Sequence, residues 1–151
     1  MYERILVAID GSEPSKVALQ TAIALAKADG AALAVVTVHD ERLIESSAAP
    51  ENYSDVAVLI ESDEHAGKTL LEHARSAAGA AGVTDVTVRL LDGDPAAHIV
   101  DTARAHRADL IVVSTHGRTG LSRFFVGSVA EHVIRHAPCS VLVARPRSHT
   151  A

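Results

Sequence analysis

Apolar positions along the chain follow two alternating rhythms. Short runs of β-branched and aliphatic residues are separated by longer stretches in which apolar residues recur every three or four positions. That alternation predicts parallel strands joined by crossover helices. Five strands are expected, at Arg4 to Ile9, Ala34 to His39, Val83 to Leu90, Leu110 to Ser114 and Ser140 to Ala144. The runs ILVAI, LAVVTV, LIVVS and SVLVA are apolar at nearly every position, the pattern of strands covered by helices on both faces. VTDVTVRL alternates more, as a strand near the edge of a sheet does.

The first helix follows strand one, with Ala18, Leu19, Ala22, Ile23, Leu25 and Ala26 at helical spacing and Ser12-Glu13-Pro14-Ser15 supplying a cap and an early proline. A second is expected from about Glu61 to Ala80, burying Leu70, Leu71 and Ala74. A third follows Asp94-Pro95 and uses Ile99, Val100 and Ala103. A fourth begins at Gly127-Ser128, where Ser128 and Glu131 have capping-box spacing, and must end near Pro138. Asp40 to Ala57, with Pro50 and Asn52 and no clear period, reads as a surface excursion. The crossover pattern occupies residues 1–151, so one domain is expected.

Composition narrows the class. Of 151 residues, 48% are apolar and 22% charged. A chain of that length buries roughly two-thirds of its unfolded surface without metal or disulfide support. The single cysteine, Cys139, excludes an intramolecular disulfide and suits a reducing compartment. The opening MYERILVAID contains Glu3, Arg4 and Asp10, unlike the apolar core of a signal peptide. No apolar run approaches the length of a membrane span, so no membrane insertion and a cytoplasmic location are expected. A formal charge of −5 and 3% aromatic residues argue against nucleic acid as a partner.

Ligands of parallel sheets sit beyond the C-terminal ends of the strands, where neighbouring connections leave in opposite directions. If strands one and four are such neighbours, Asp10-Gly11-Ser12, the strand-two end near Val38 and His39, and the segment STHGRTGLSRFFVGS from Ser114 to Ser128 converge. Two readings fit that segment. Its glycines, hydroxyls and following helix start suit a phosphate; the same residues also serve a purely structural loop closed by turns and a cap. It is not a lysine-containing phosphate loop, and no GxGxxG follows strand one. Asp10 reads either as a ligand of Mg²⁺ or as an Asx-type cap for the turn at Gly11 and Ser12. His116 reads either as a donor to phosphate or ribose or as a ring packed over the loop. Arg118 and Arg123 could offset phosphate charge. Nine scattered histidines offer only His132 and His136 as a pair on one helical face, without the glutamate of a zinc protease. Cys139 reads as a small hydrophobe, and neither Ser12 nor Ser128 sits in a GxSxG elbow.

The opening ILVAIDGS, the block VVSTHGRTGLSRFFVGSVAEHVIRHAPCSVLVAR and the single-domain size resemble the universal stress protein family in its ATP-binding branch, over nearly the whole chain. The nucleotide signature of that family is glycine, two residues, glycine, nine residues, then glycine followed by Ser or Thr. Here the second glycine falls on Gly117, the third on Gly127 and the hydroxyl on Ser128, with Arg118 to Val126 between them; the first falls on Ser114, a departure from the pattern. The resemblance implies a Rossmann-like open parallel five-stranded α/β sheet of order 3-2-1-4-5, with helices on both faces. It also implies a homodimer formed through the last strand, with ATP and Mg²⁺ or Mn²⁺ as ligands. Asp10 would lie by the ribose and the metal-phosphate region, Val38 would meet adenine through its backbone, and Gly117, Gly127 and Ser128 would hold phosphate oxygens. The function expected is that of a regulatory stress-response protein with weak hydrolysis at most. The alternatives are a cyclic AMP-binding variant and a dimeric interaction module without nucleotide.

Overall fold

The computed structural model describes residues 1–40, 53–116 and 126–147, with backbone alone for residues 53–62. In chain order the elements are β1 (Arg4–Ala8), α1 (Glu13–Asp29), β2 (Ala32–His39), α2 (Tyr53–Ala81), β3 (Val86–Asp92), α3 (Pro95–Ala105), β4 (Leu110–Ser114), α4 (Ser128–His136) and β5 (Ser140–Ala144). The strands form one parallel sheet in the order β3-β2-β1-β4-β5. That is the expected architecture, with β1 and β4 adjacent at its centre.

Period-two alternation divides the core into two layers. Ile5, Val7, Leu33, Val35, Leu110 and Val112 point to one face, under α1 and α2, where Ala18, Ala22, Ile23, Leu71 and Ala74 meet them. Leu6, Val36, Ile111 and Val113 point to the other, against Ile99, Val100 and Ala103 of α3 and Ala130 and Val133 of α4. Small residues set the spacing. Ala18, Ala22 and Ala26 form a fully buried stripe at four-residue intervals, so α1 lies close to the sheet. On α2, a Cβ at Gly67 would stand 3.0 Å from Leu90 Cδ1 and 3.5 Å from Thr37 Cγ2, so this helix is also in close contact.

Helix ends follow local chemistry. The Ser12 side chain caps α1 by accepting from Ser15 N–H, and Gly30 closes it in the left-handed region at φ 66°. Asp94 caps α3 by accepting from Ala97 N–H at 3.0 Å. At the opposite end of the sheet, the Asp109 carboxylate accepts from Glu3 and Arg4 N–H, and Asp29 accepts from Tyr2 N–H.

Three expectations are corrected. Val83 is not the start of the third strand. Its N–H donates to Ala78 C=O at 3.0 Å around Gly82, whose φ is 101°, so it completes the α2 terminus and its buried side chain packs there. The strand begins three residues later, at Val86, on the sheet edge as its alternation suggested. The second helix reaches back from Glu61 to Tyr53, so the end of the supposed surface excursion is helical; the run from Tyr53 to His65 has no glycine or proline to stop it. Residues 41–52 of that excursion lie outside the described residues. Finally, Ser128 is not the cap of the last helix. Gly127 holds the cap position with extended backbone (φ −61°, ψ 158°) and no side-chain cap bond, and Ser128 is the first helical residue. Glu131 pairs with Arg135 instead, at 2.8 Å.

Gly93 closes β3 at φ 128°, a region that side chains strain to enter, and a Cβ there would lie 2.7 Å from His98 Nε2. Gly93→Ala is expected to lose about 1–3 kcal/mol in urea unfolding. Adding His98→Ala should restore only part of that loss, because it removes the contact and leaves the backbone strain.

Candidate functional site

Beyond the C-terminal ends of β1 and β4 the chain leaves in opposite directions, to α1 under one face and to α4 under the other. The ends of β1, β2 and β4 therefore open into a crevice at the reversal. Asp10, Val38, Ser114, Gly127 and Ser128 all lie around that end of the sheet. Gly117, Arg118, Gly120, Ser122 and Arg123 lie outside the described residues.

Asp10 begins the turn after β1. Its Oδ1 accepts from both Ser12 N–H, at 2.9 Å, and the Ser12 hydroxyl, while Asp10 N–H donates to Ser15 Oγ at 3.1 Å. Gly11 supplies the positive φ of 82° that the turn requires. The Asx-turn reading thus describes its local bonding, and one consequence is that the carboxylate is fixed in orientation. Among the described residues, no group of three or more His, Cys, Asp or Glu is arranged to hold a metal.

The fourth strand end is tied down on both sides. Thr115 N–H donates to Ala144 C=O of β5 at 3.2 Å, and Thr115 C=O accepts from Gly127 N–H. The two ends of the segment between Thr115 and Gly127 are therefore joined by one backbone bond, which holds the start of α4 at the end of β4. Gly127 is buried, and a Cβ there would lie 3.1 Å from Thr115 O and 3.3 Å from His116 Cα. Ser128 is exposed at the helix N-terminus, and Ser114 is partly buried opposite Ala144. His116 Nδ1 shares a 3.0 Å hydrogen bond with the Thr115 hydroxyl, which orients its ring locally. The N-termini of α1 and α4 each bring a positive dipole end to this edge.

The β2 end supplies two features. Pairing with β1 ends at Ala8 opposite Val36, where Ile9 N–H donates to Val36 C=O at 2.9 Å, so β2 extends past its neighbour through Val38 and His39. His39 is 3% exposed, and its Nδ1 lies 2.6 Å from Asp63 Oδ2 on α2. A carboxylate only accepts, so Nδ1 carries the hydrogen of this bond. Nε2 is buried with no hydrogen-bond partner among the described residues, a cost of about 1–3 kcal/mol. Sequence reading placed His39 at this strand end without a role. The available signal was its parity: His39 follows Leu33, Val35 and Thr37 on the core-facing side of β2, and a histidine there needs a partner. The partner stands 24 residues away and depends on how α2 docks.

The other candidates have structural surroundings. His132 and His136 stack at 4.2 Å between ring centroids, and His136 Nδ1 lies 2.9 Å from His132 C=O, along a helix face. Cys139 packs against the α3–α4 layer, and burial first, then the charge of Asp109, push its thiol pKa up.

A model of the universal stress protein family matches residues 1–145. The chain belongs to the universal stress protein family. A Staphylococcus aureus (strain USA300) protein named as a universal stress protein is 41% identical over 146 residues, covering 95% of this chain and 84% of its own length. A universal stress protein from Lactobacillus plantarum superposes with a TM-score of 0.83 at 27% identity, covering 95% of this chain and 98% of its own. A universal stress protein solved in complex with cAMP superposes with a TM-score of 0.72 at 29% identity, covering 97% of this chain and 99% of its own. The crevice at the β1–β4 reversal therefore lies within a fold shared over nearly the entire chain.

Two measurements probe this description. Gly127→Ala forces backbone atoms of Thr115 and His116 to give way, so an unfolding loss of about 1–3 kcal/mol is expected. Cys139 should alkylate more slowly than a free thiol at pH 8, with its reactivity rising at a pH above the ordinary thiol range.

Proposed function

We propose that the protein binds an adenine nucleotide in the crevice at the ends of β1, β2 and β4, and that ATP with Mg²⁺ or Mn²⁺ is its ligand. In this reading it is a cytoplasmic, homodimeric stress-response regulator with slow hydrolysis at most. The carrying observation is the Thr115–Gly127 backbone bond, which holds the N-terminus of α4, with Ser128 exposed, at the end of β4, beside the turn of Asp10. A helix N-terminus at a strand end is the arrangement that receives phosphate oxygens. Gly127 and Ser128 would meet phosphate there, together with Gly117, Arg118 and Ser114, while Val38 would meet the base through its backbone. The relative bound to cAMP supports an adenine ligand and keeps the cyclic nucleotide as the second reading.

Asp10 fits a metal brought in on phosphates. Mg²⁺ commonly takes one or two carboxylates along with phosphate and water, so a single fixed carboxylate suits it better than a closed protein cage would. A bound ion would offset phosphate charge. The same carboxylate is oriented by Ser12, which supports a structural and ligand-holding part for Asp10 and supplies no free base for attacking water. The dimer rests on β5, an edge strand in which Val141, Leu142 and Val143 are only partly buried; pairing with a second copy would cover that edge. No helix among the described residues is long and apolar enough to cross a membrane.

Calorimetry with metal-ATP should give saturable heat, with cAMP as competitor deciding between the two ligands. Its absence, in protein purified without bound nucleotide, overturns the proposal. Gly127→Glu should abolish binding, through lost room and a negative charge beside the phosphate, and should also lose at least the stability that Gly127→Ala loses, so its melt is recorded alongside. In a time course with labelled metal-ATP, stable occupancy with negligible phosphate release is expected. Rapid multiple turnover that disappears in Asp10→Ala would make the protein an ATPase instead. Sedimentation should give twice the chain mass.

A further inference from the structure

The end of β2 is a ledge attached to the sheet along one side only. Backbone polar groups of a strand alternate between its two edges, so Val38 turns its N–H and C=O toward the same edge as Val36. That is the edge β1 no longer reaches, since its pairing stops at Ala8 opposite Val36. Thr37 and His39 turn theirs toward β3, and His39 C=O accepts from Gly93 N–H at 3.0 Å. A second attachment comes from the other direction, through the His39 side chain. Its Nδ1–H reaches Asp63 at 2.6 Å, four residues before Gly67 on α2. The two positions share a helix face. The missing side chain at Gly67 is what brings that face close to Thr37 and Leu90.

An imidazole is an odd choice if only stability is served. Nε2 is buried without a partner among the described residues, and an apolar side chain of similar size would avoid that desolvation. What the ring provides that an apolar group lacks is a directional tie between the ledge and α2. We propose that His39 is a positioning residue for base recognition, whose hydrogen bond to Asp63 holds the projecting end of β2 where the Val38 backbone meets adenine. This rests on the adenine-nucleotide reading above and adds to it the means by which the base-facing edge is held. His39 itself touches α2, and acts through Val38.

The test compares ATP with inorganic tripolyphosphate, which lacks a base, by calorimetry on the full chain with thermal melts alongside. Wild type is measured first; if it binds no ATP, the nucleotide reading has failed, and this inference with it, before any variant is made. In His39→Leu and Asp63→Ala the ATP dissociation constant should rise about tenfold, the worth of one well-formed hydrogen bond, and that of tripolyphosphate should stay as in wild type. His39→Asn places an amide N–H near the position of Nδ1 and should recover most of the ATP affinity. Should His39→Leu fail to fold, Asp63→Ala decides, because its side chain is 22% exposed and its removal leaves the ring in place. Folded variants with an unchanged ratio of ATP to tripolyphosphate affinity, or with equal losses for both, overturn the proposal.

Discussion

Strands β1 and β4 lie side by side in the middle of the sheet and send their chains to opposite faces, and the rest of the molecule is arranged around that divergence. Neither α1 nor α4 covers the gap between the two strand ends, so a crevice is an automatic product of the topology. Both helices start at its rim, and both therefore turn N–H groups and positive dipole ends toward it. The core makes the divergence possible by being double-sided: Val7 and Val112 serve the α1–α2 layer while Leu6 and Ile111 serve the α3–α4 layer. Strands buried on both faces leave the central pair no freedom to slip by one residue, since a slip would exchange the two layers.

Around the crevice, the groups that hold the chain in shape are also the groups that would face a ligand. Asp10, Ser12 and Ser15 are linked by hydrogen bonds that begin α1. Gly127 both bonds Thr115 through its N–H and, without a side chain, holds the cap position of α4. This dual use explains why a cap and a ligand site are hard to tell apart from residue types: serine, aspartate and glycine suit both tasks for the same reason, a short polar side chain or none at all.

The strand runs LIVVS and SVLVA were legible to the residue, because a short apolar run bounded by turn and helix-end residues has few ways to be read. The Asp94-Pro95 helix start was legible from local pattern as well, whereas the sheet order came only through the family resemblance. Errors fell where an end depends on tertiary context. Val83 is β-branched and apolar and looks like strand, yet the left-handed Gly82 turns it into the closing contact of α2. Ser128 and Glu131 have the spacing of a reciprocal cap, but the pull of Thr115 on Gly127 N–H shifts the cap by one residue, which no local pattern encodes. Asp10, Val38 and Ser114 were placed correctly at the strand ends because that follows from topology. The His39–Asp63 tie was not visible, since it joins a strand end to a helix whose docking depends on the absence of a side chain at Gly67.

The carboxylates of Asp29 and Asp109, which take up the N–H groups of Tyr2, Glu3 and Arg4, fasten the start of the chain to the end of the sheet remote from the crevice. The last described residues, 145–147, leave β5 at the crevice end. A five-residue strand separates the two ends by roughly 17 Å. Attachment at the two termini is therefore not equivalent. A fluorophore, affinity handle or solid support joined at Met1 would stand behind the sheet, remote from the crevice, whereas the same group joined directly after residue 147 would stand at the crevice end, on the side of the proposed ligand.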